Sequence, residues 1–144
     1  MGVDIEVVRS ADAELVAAFG RLLPQLSRSA RPLDASALQA LLTWPGNHVL
    51  VARVDGAILG TLTLVTFPIP TGLRAWIEDV VVDEAARGRG VGASLTQEAV
   101  RIAREAGARS VDLTSRPSRA AANRLYERLG FQLRESKLYR LAGL

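Results

Sequence analysis

The order of apolar and polar positions along this chain predicts its elements one after another. Val3 to Val8 is a short β-branched run, and Ser10 with Asp12 then supplies a helix start before Leu15, Val16, Phe19, Leu22 and Leu23 at helical spacing. Pro24 ends or bends that helix, and the stretch on to Pro32, with Arg28 and Arg31, has little periodicity. A second helix is expected from about Asp34, with Leu38, Leu41 and Leu42 as its buried face, and Trp44-Pro45-Gly46-Asn47 stops it.

Two strand-like runs follow, His48 to Val54 and Ala57 to Phe67, joined through Asp55-Gly56, a two-residue signal for a type I′ hairpin. Pro68, Pro70 and Thr71-Gly72 make the next turn, so the strand through Trp76 to Val82 should run antiparallel to the one before it. Val80-Val81-Val82 breaks simple alternation, which fits burial on both faces or a local bulge. After a glycine-rich turn, Val91, Leu95, Ala99, Ile102, Ala103 and Ala106 repeat at helical spacing opposite Gln97, Glu98, Arg101, Arg104 and Glu105, with Gly107 at the end. Arg109 to Thr114 reads as another strand, parallel to the one before the helix because a helical crossover joins them. A last helix from about Ser118 has Ala122, Leu125, Tyr126 and Leu129 on one face and stops at Gly130-Phe131. A final strand or hairpin is expected over Phe131 to Leu141. Mixed α/β (α+β) order, with antiparallel strands early and one βαβ unit late, is the fold class this implies.

Composition narrows the chemistry. At 144 residues and 49% apolar content the chain fits one core, so a single domain over 1–144 is expected. Its net charge of +3 suits anionic ligands, and without a dense basic run or interleaved aromatics it does not call for nucleic acid. With no cysteine and a single histidine, His48, neither a thiolate nucleophile nor a structural zinc is expected, and no metal is expected at all. No stretch approaches the roughly 18 apolar residues of a membrane span, nor does the N-terminus read as a signal peptide. A soluble cytoplasmic protein with no membrane partner follows as the expectation.

The chemistry-bearing stretch is Ile77-Glu78-Asp79-Val80-Val81-Val82, then Asp83 to Ala86, then Arg87-Gly88-Arg89-Gly90-Val91-Gly92 opening a helix. Unpaired amides at a helix N-terminus beside two arginines suit a phosphate. Gly88, Gly90 and Ala93 formally satisfy G-x-G-x-x-G/A, with Asp112 at about the distance of a ribose-binding acid. Against a dinucleotide site, Asp83 to Arg87 intervene between strand and turn, and the first half of the chain reads as hairpins. A mononucleotide P-loop would need Gly-Lys-Ser or Gly-Lys-Thr, which is absent.

Arg87, Gly90 and Gly92 match Gln/Arg-x-x-Gly-x-Gly/Ala, and Asn123-Arg124-Leu125-Tyr126-Glu127-Arg128-Leu129-Gly130-Phe131 supplies a helix with Asn and Tyr before a Gly-Phe turn. In these two motifs, over roughly 73–141, the chain resembles the GNAT N-acetyltransferase superfamily. The resemblance implies a mixed central sheet with antiparallel N-terminal strands and a splayed parallel pair, flanked by helices. It implies acetyl-CoA as co-substrate and an amine as acceptor, and is compatible with a homodimer. By that likeness, pantetheine would pair with the backbone of Val80 and Val82, and an amide at Val81 or Val82 would polarise the thioester carbonyl. The diphosphate would sit on Arg87, Gly88, Arg89, Gly90, Val91, Gly92 and Ala93, with Ser94 adding a hydroxyl and the three glycines supplying close approach and positive φ. Asn123 would bond the pantetheine arm, and Tyr126 would protonate the leaving thiolate.

A lysine-like amine has a pKa of about 10.4, so a base helps. Alternation puts Glu78 and Asp79 on opposite sheet faces; Glu78 is the favoured base, with water as the alternative. The Ile77-Glu78-Asp79 run is similar to amino-sugar phosphate acetyltransferases of the superfamily, and Arg28 and Arg31 would suit an acidic or phosphorylated acceptor. The acceptor would be bounded by roughly 22–33 and the final hairpin, and it is either a small-molecule amine or a protein lysine or N-terminus. A noncatalytic acyl-CoA-binding module is the competing class, against which Tyr126 and the nearby carboxylate speak.

Overall fold

A computed structural model of the chain describes residues 2–144. The chain divides into a larger unit ending at Thr114 and a smaller one, Ser115–Leu144. The larger unit runs β1 (Val3–Val8), α1 (Ala13–Leu26), α2 (Ala35–Leu42), β2 (Asn47–Val54), β3 (Ala57–Ile69), β4 (Gly72–Val82), a 3-10 turn (Glu84–Ala86), α3 (Val91–Glu105) and β5 (Val111–Asp112); the smaller contains α4 (Ala120–Arg128). No helix is long and apolar enough to cross a membrane among the described residues.

Both early helices begin where an aspartate closes the first turn. Asp12 accepts from the Leu15 amide at 2.8 Å and Asp34 from the Ala37 amide at 2.7 Å. Pro24 does not end α1, which runs two residues further: proline removes one helical hydrogen bond, and the Ser27 amide still reaches the Leu23 carbonyl at 2.9 Å.

The five strands lie in the order β1-β2-β3-β4-β5. The first four are antiparallel neighbours, and β4 and β5 are parallel. Asp55 and Gly56 both take positive φ, 52° and 84°, as a type I′ hairpin requires. On one face, Leu15, Ala18, Phe19 and Leu22 of α1 and Leu38 and Leu42 of α2 form a core with Val49, Val51, Ile58 and Val81. Burying each large side chain there contributes about 1.5–3 kcal/mol, and Leu22, with none of its surface exposed, is the kind of position where truncation to alanine costs about 2–5 kcal/mol. The other face takes α3 through Val91, Leu95, Ala99 and Ala103. It can do so because β3 carries Gly60 beneath the first turn of α3: a Cβ there would lie 2.8 Å from Val91 Cγ1. Thr61 and Thr96 are the buried hydroxyls of this unit, and each donates to a carbonyl, Leu50 and Gly92 respectively.

Two expected strands differ. The segment expected over Arg109 to Thr114 is only Val111–Asp112, and none of Phe131 to Leu141 is strand. Leu133, Leu138, Tyr139 and Leu141 are 98%, 63%, 85% and 81% exposed. A strand exists only where another backbone pairs with it, and among the described residues no strand pairs with this segment.

Candidate active site

β5 accompanies β4 only at Ala75 with Val111 and Trp76 with Asp112. From Ile77 to Val82, β4 has a strand partner on its β3 side alone among the described residues. The Asp83 amide donates to the Leu59 carbonyl at 2.8 Å. Successive strand residues turn their amides to opposite sides, so Val82 directs its N–H and C=O to the open side. Such an edge can take up an extended, amide-bearing ligand as a further strand.

The broken alternation of the valine run is a bulge. Thr61 opposes Val81 and Thr63 opposes Glu78, so Asp79 and Val80 together face the single residue Leu62. Asp79 has φ of 50°, a left-handed conformation that aspartate tolerates better than a branched residue. Directly opposed residues share a face. Glu78 therefore lies on the face of Thr63 and Val49, the side of α1 and α2, and Val81 joins it there although it is an odd number of positions, three, further on. Asp79 and Val80, against Leu62, belong to the other face, so Glu78 and Asp79 do lie on opposite faces and the alternation breaks only after Asp79. Val82, opposite Gly60 and Ala52, belongs to the α3 face. Both carboxylates are exposed.

Beyond Val82 the backbone is tied down residue by residue. Gln25 Oε1 accepts from the Glu84 amide at 3.1 Å, Asp83 Oδ1 from the Ala85 amide at 2.9 Å, and the Asp83 carbonyl from the Ala86 amide at 2.9 Å. The Arg87 amide reaches the Glu84 carbonyl at 3.4 Å, a long and weak bond, and the Arg87 side chain stands 4.0 Å from the Glu84 carboxylate. Then the character changes. Gly88 and Gly90 are left-handed, with φ of 79° and 77°, and nothing lies within 4 Å of the Cβ position of either. Gly90 is the N-cap of α3 and offers no side chain, so the amides of Val91, Gly92 and Ala93 emerge uncapped by it before the Ser94 amide closes the first helical bond to the Gly90 carbonyl at 3.0 Å. Gly92, expected to share the positive φ, lies inside α3, because the residues after the cap must already be helical to launch it. An open approach, left-handed glycines and the positive end of a 15-residue helix fit a diphosphate.

Asn123 and Tyr126 belong to the smaller unit. α4 starts after Arg119 without a side-chain cap, and Asn123 Nδ2 donates to the Arg116 carbonyl at 3.1 Å. Tyr126 is buried, and its ring meets Phe131 edge-on at 5.8 Å. Phe131 is held there by the helix end: its amide bonds the Tyr126 carbonyl at 3.0 Å while the Gly130 amide bonds that of Glu127 at 3.1 Å, a Schellman closure. Burial lifts the Tyr126 phenol above its usual range, against a smaller opposing pull from Arg119. A phenol so placed stays protonated at neutral pH and can donate a proton.

Glu78, the valines and Arg87 to Ser94 thus fall within one unit, and Asn123 with Tyr126 in the other. Two features escaped the sequence. The break at Val80–Val82 signalled a bulge but not that Asp79 makes it, and nothing signalled Gln25, 59 residues from its partner.

The family model described as the acetyltransferase (GNAT) family matches residues 17–131. N-alpha-acetyltransferase RimI of Mycobacterium tuberculosis is 31% identical over 98% of this chain and 87% of its own length. A probable glucosamine 6-phosphate N-acetyltransferase of rice, Oryza sativa subsp. japonica, is 33% identical over 90% of this chain and 83% of its own. Among solved structures, a putative acetyltransferase from Agrobacterium tumefaciens superposes with a TM-score of 0.85 at 26% identity, covering 96% of this chain and 99% of that one.

Proposed function

The chain belongs to the acetyltransferase (GNAT) family and is an N-acetyltransferase, and from that premise we propose that it moves an acetyl group from acetyl-CoA to a primary amine by direct attack. The observation that carries this reading is the open edge of β4 beyond Trp76, running through the fixed turn at Glu84–Ala86 into the uncapped start of α3. Val80 and Val82 hold pantetheine by their backbone, and the amides from Gly88 to Ala93, with Arg87, Arg89 and Ser94 beside them, hold the diphosphate. Asn123 bonds the pantetheine arm.

In the transfer, the amine lone pair attacks the thioester carbonyl carbon and the carbonyl pair moves to oxygen, where the Val82 amide stabilises it, the Val81 amide being turned toward β3. Collapse of that tetrahedral intermediate breaks the C–S bond. Tyr126 gives its proton to the departing thiolate, and the proton lost by the amine goes to Glu78, directly or through water. The products are the amide and the free CoA thiol.

The acceptor is a small-molecule amine or a protein N-terminus or lysine. Relatives named for glucosamine 6-phosphate, L-2,4-diaminobutyric acid and alpha-amino groups define the panel to try, and Arg28 and Arg31, both exposed between α1 and α2, favour the phosphorylated member. Release of free thiol with one member of an amine panel is the expected result; release with none would sink the catalytic reading. Tyr126→Phe should then slow turnover by about a hundredfold, the scale of a general acid, with acetyl-CoA affinity nearly intact. Unchanged turnover under chemistry-limited conditions removes Tyr126 from the acid role.

A further inference from the structure

α1 is weakest where it approaches the cofactor loop. Gly20 and Pro24 stand inside it, a poor helix former and a residue with no amide to give the Gly20 carbonyl. Beyond Gly20 two polar side chains tie the last turns to other elements of the same unit. Arg21 Nη2 donates to the Ile58 carbonyl of β3 at 3.1 Å. Gln25, past the proline, uses both ends of its amide: Nε2 donates to the Arg21 carbonyl at 3.1 Å, and Oε1 accepts from the backbone amide of Glu84 at 3.1 Å. Directly after Gln25 come Leu26 and the irregular stretch with Arg28 and Arg31, which has no helix or strand until α2.

The Glu84 bond differs from its neighbours in origin. The amides of Ala85, Ala86 and Arg87 are satisfied from within the turn itself, by Asp83 and Glu84, whereas that of Glu84 depends on a side chain from α1. Whatever steadies the turn also steadies Gln25, and through it the end of α1.

We infer that Gln25 is a positioning residue that couples the acetyl-CoA loop to the segment between α1 and α2, so that occupation of the loop orders the acceptor side. This rests on the reading that residues 87–93 hold the diphosphate. Binding there removes freedom from the turn at Glu84–Ala86, strengthens the bond that ties it to α1, and lowers the opening of the proline-weakened turn of α1.

Hydrogen exchange with CoA itself as the probe, at saturation for each protein, tests this without knowing the acceptor. In the unsubstituted protein CoA should slow exchange at 87–93 and also, by about fivefold, the worth of one net hydrogen bond, at 20–34. Gln25→Met keeps the length and helix preference of the exposed side chain but offers the Glu84 amide only a weakly accepting thioether. It should retain the slowing at 87–93 and lose that at 20–34, with exchange in β2 and β3 unchanged as the check on folding. Equal slowing at 20–34 in both proteins, or none in the unsubstituted one, overturns the coupling while leaving the cofactor loop intact. Absence of any slowing at 87–93 overturns the cofactor reading, and the coupling with it.

Discussion

The N-termini of α1 and α3 are built from opposite choices. At α1, Asp12 closes the turn onto the Leu15 amide, Glu14 adds negative charge to the first turn, and Arg53 clasps that glutamate at 2.7 Å. α2 repeats the aspartate cap with Asp34. At α3 there is no acidic residue in the first turn, no side-chain cap, and a left-handed Gly90 in the place of the aspartate. A helix start meant only to be stable satisfies its own amides, whereas one left open to an outside anion gives up that stabilisation. α4 also lacks a side-chain cap, so what sets the start of α3 apart, and carries the proposal that it takes the diphosphate, is the open start together with the left-handed glycines before it.

Making α3 like α1 should produce the largest effect. Gly90→Asp can keep the left-handed backbone, as Asp55 and Asp79 do in this protein, and supplies a carboxylate to the amides of the first turn. Affinity for CoA, followed by calorimetry, should fall by about a hundredfold or more, because a fixed negative charge now stands where the diphosphate must. Gly90→Asn caps without the charge and should lose about tenfold less. Thermal stability should be nearly unchanged in both. Undiminished CoA affinity in Gly90→Asp would place the diphosphate elsewhere.

How far the sequence foretold this depended on whether a feature is local. Asp12 and Asp34, Asp55-Gly56, Gly107 and Gly130-Phe131 each act on residues within five positions, and all appear where the local rules put them. The left-handed Gly88 and Gly90 and the helix start after them are legible for the same reason, although Gly92, expected with them, already belongs to the helix. What needs a distant partner was not legible. A strand or hairpin over Phe131 to Leu141 needs a neighbour to pair with, and pairing likewise decides the shortness of β5. Glu78 could be picked out as a carboxylate beside the valine run, but its face depends on a bulge set by register against β3. The Gln25 bond to Glu84 has no sequence signal at all.

Removing a structural cap should act on stability alone. Asp12→Ala leaves the Leu15 amide without its partner and should cost about 1 kcal/mol, a fall of about 3 °C in melting temperature for a chain of this size. Asp34→Ala should cost about the same at α2. In neither should CoA affinity move. A loss of CoA affinity comparable to that of Gly90→Asp would mean that the two kinds of helix end are not separable.

The smallest effect concerns Glu14 and acid. The Arg53 guanidinium, by its hydrogen bonds, holds the Glu14 carboxyl below its ordinary pKa, outweighing the opposite push of desolvation. A carboxyl whose pKa is lower folded than unfolded stabilises the fold at pH values above the unfolded one, and that contribution disappears as pH falls through the folded value. Glu14→Gln should therefore melt below the unsubstituted protein at pH 7, by less than the Asp12 variant because the pair is solvent-exposed, and the two curves should converge in acid below about pH 4. The first turn of α1 would itself favour a negative charge. Repeating the comparison in an Arg53→Met background separates the two causes: if Arg53 dominates, the gap at neutral pH largely closes, and a gap that persists undiminished assigns the effect to the helix end instead.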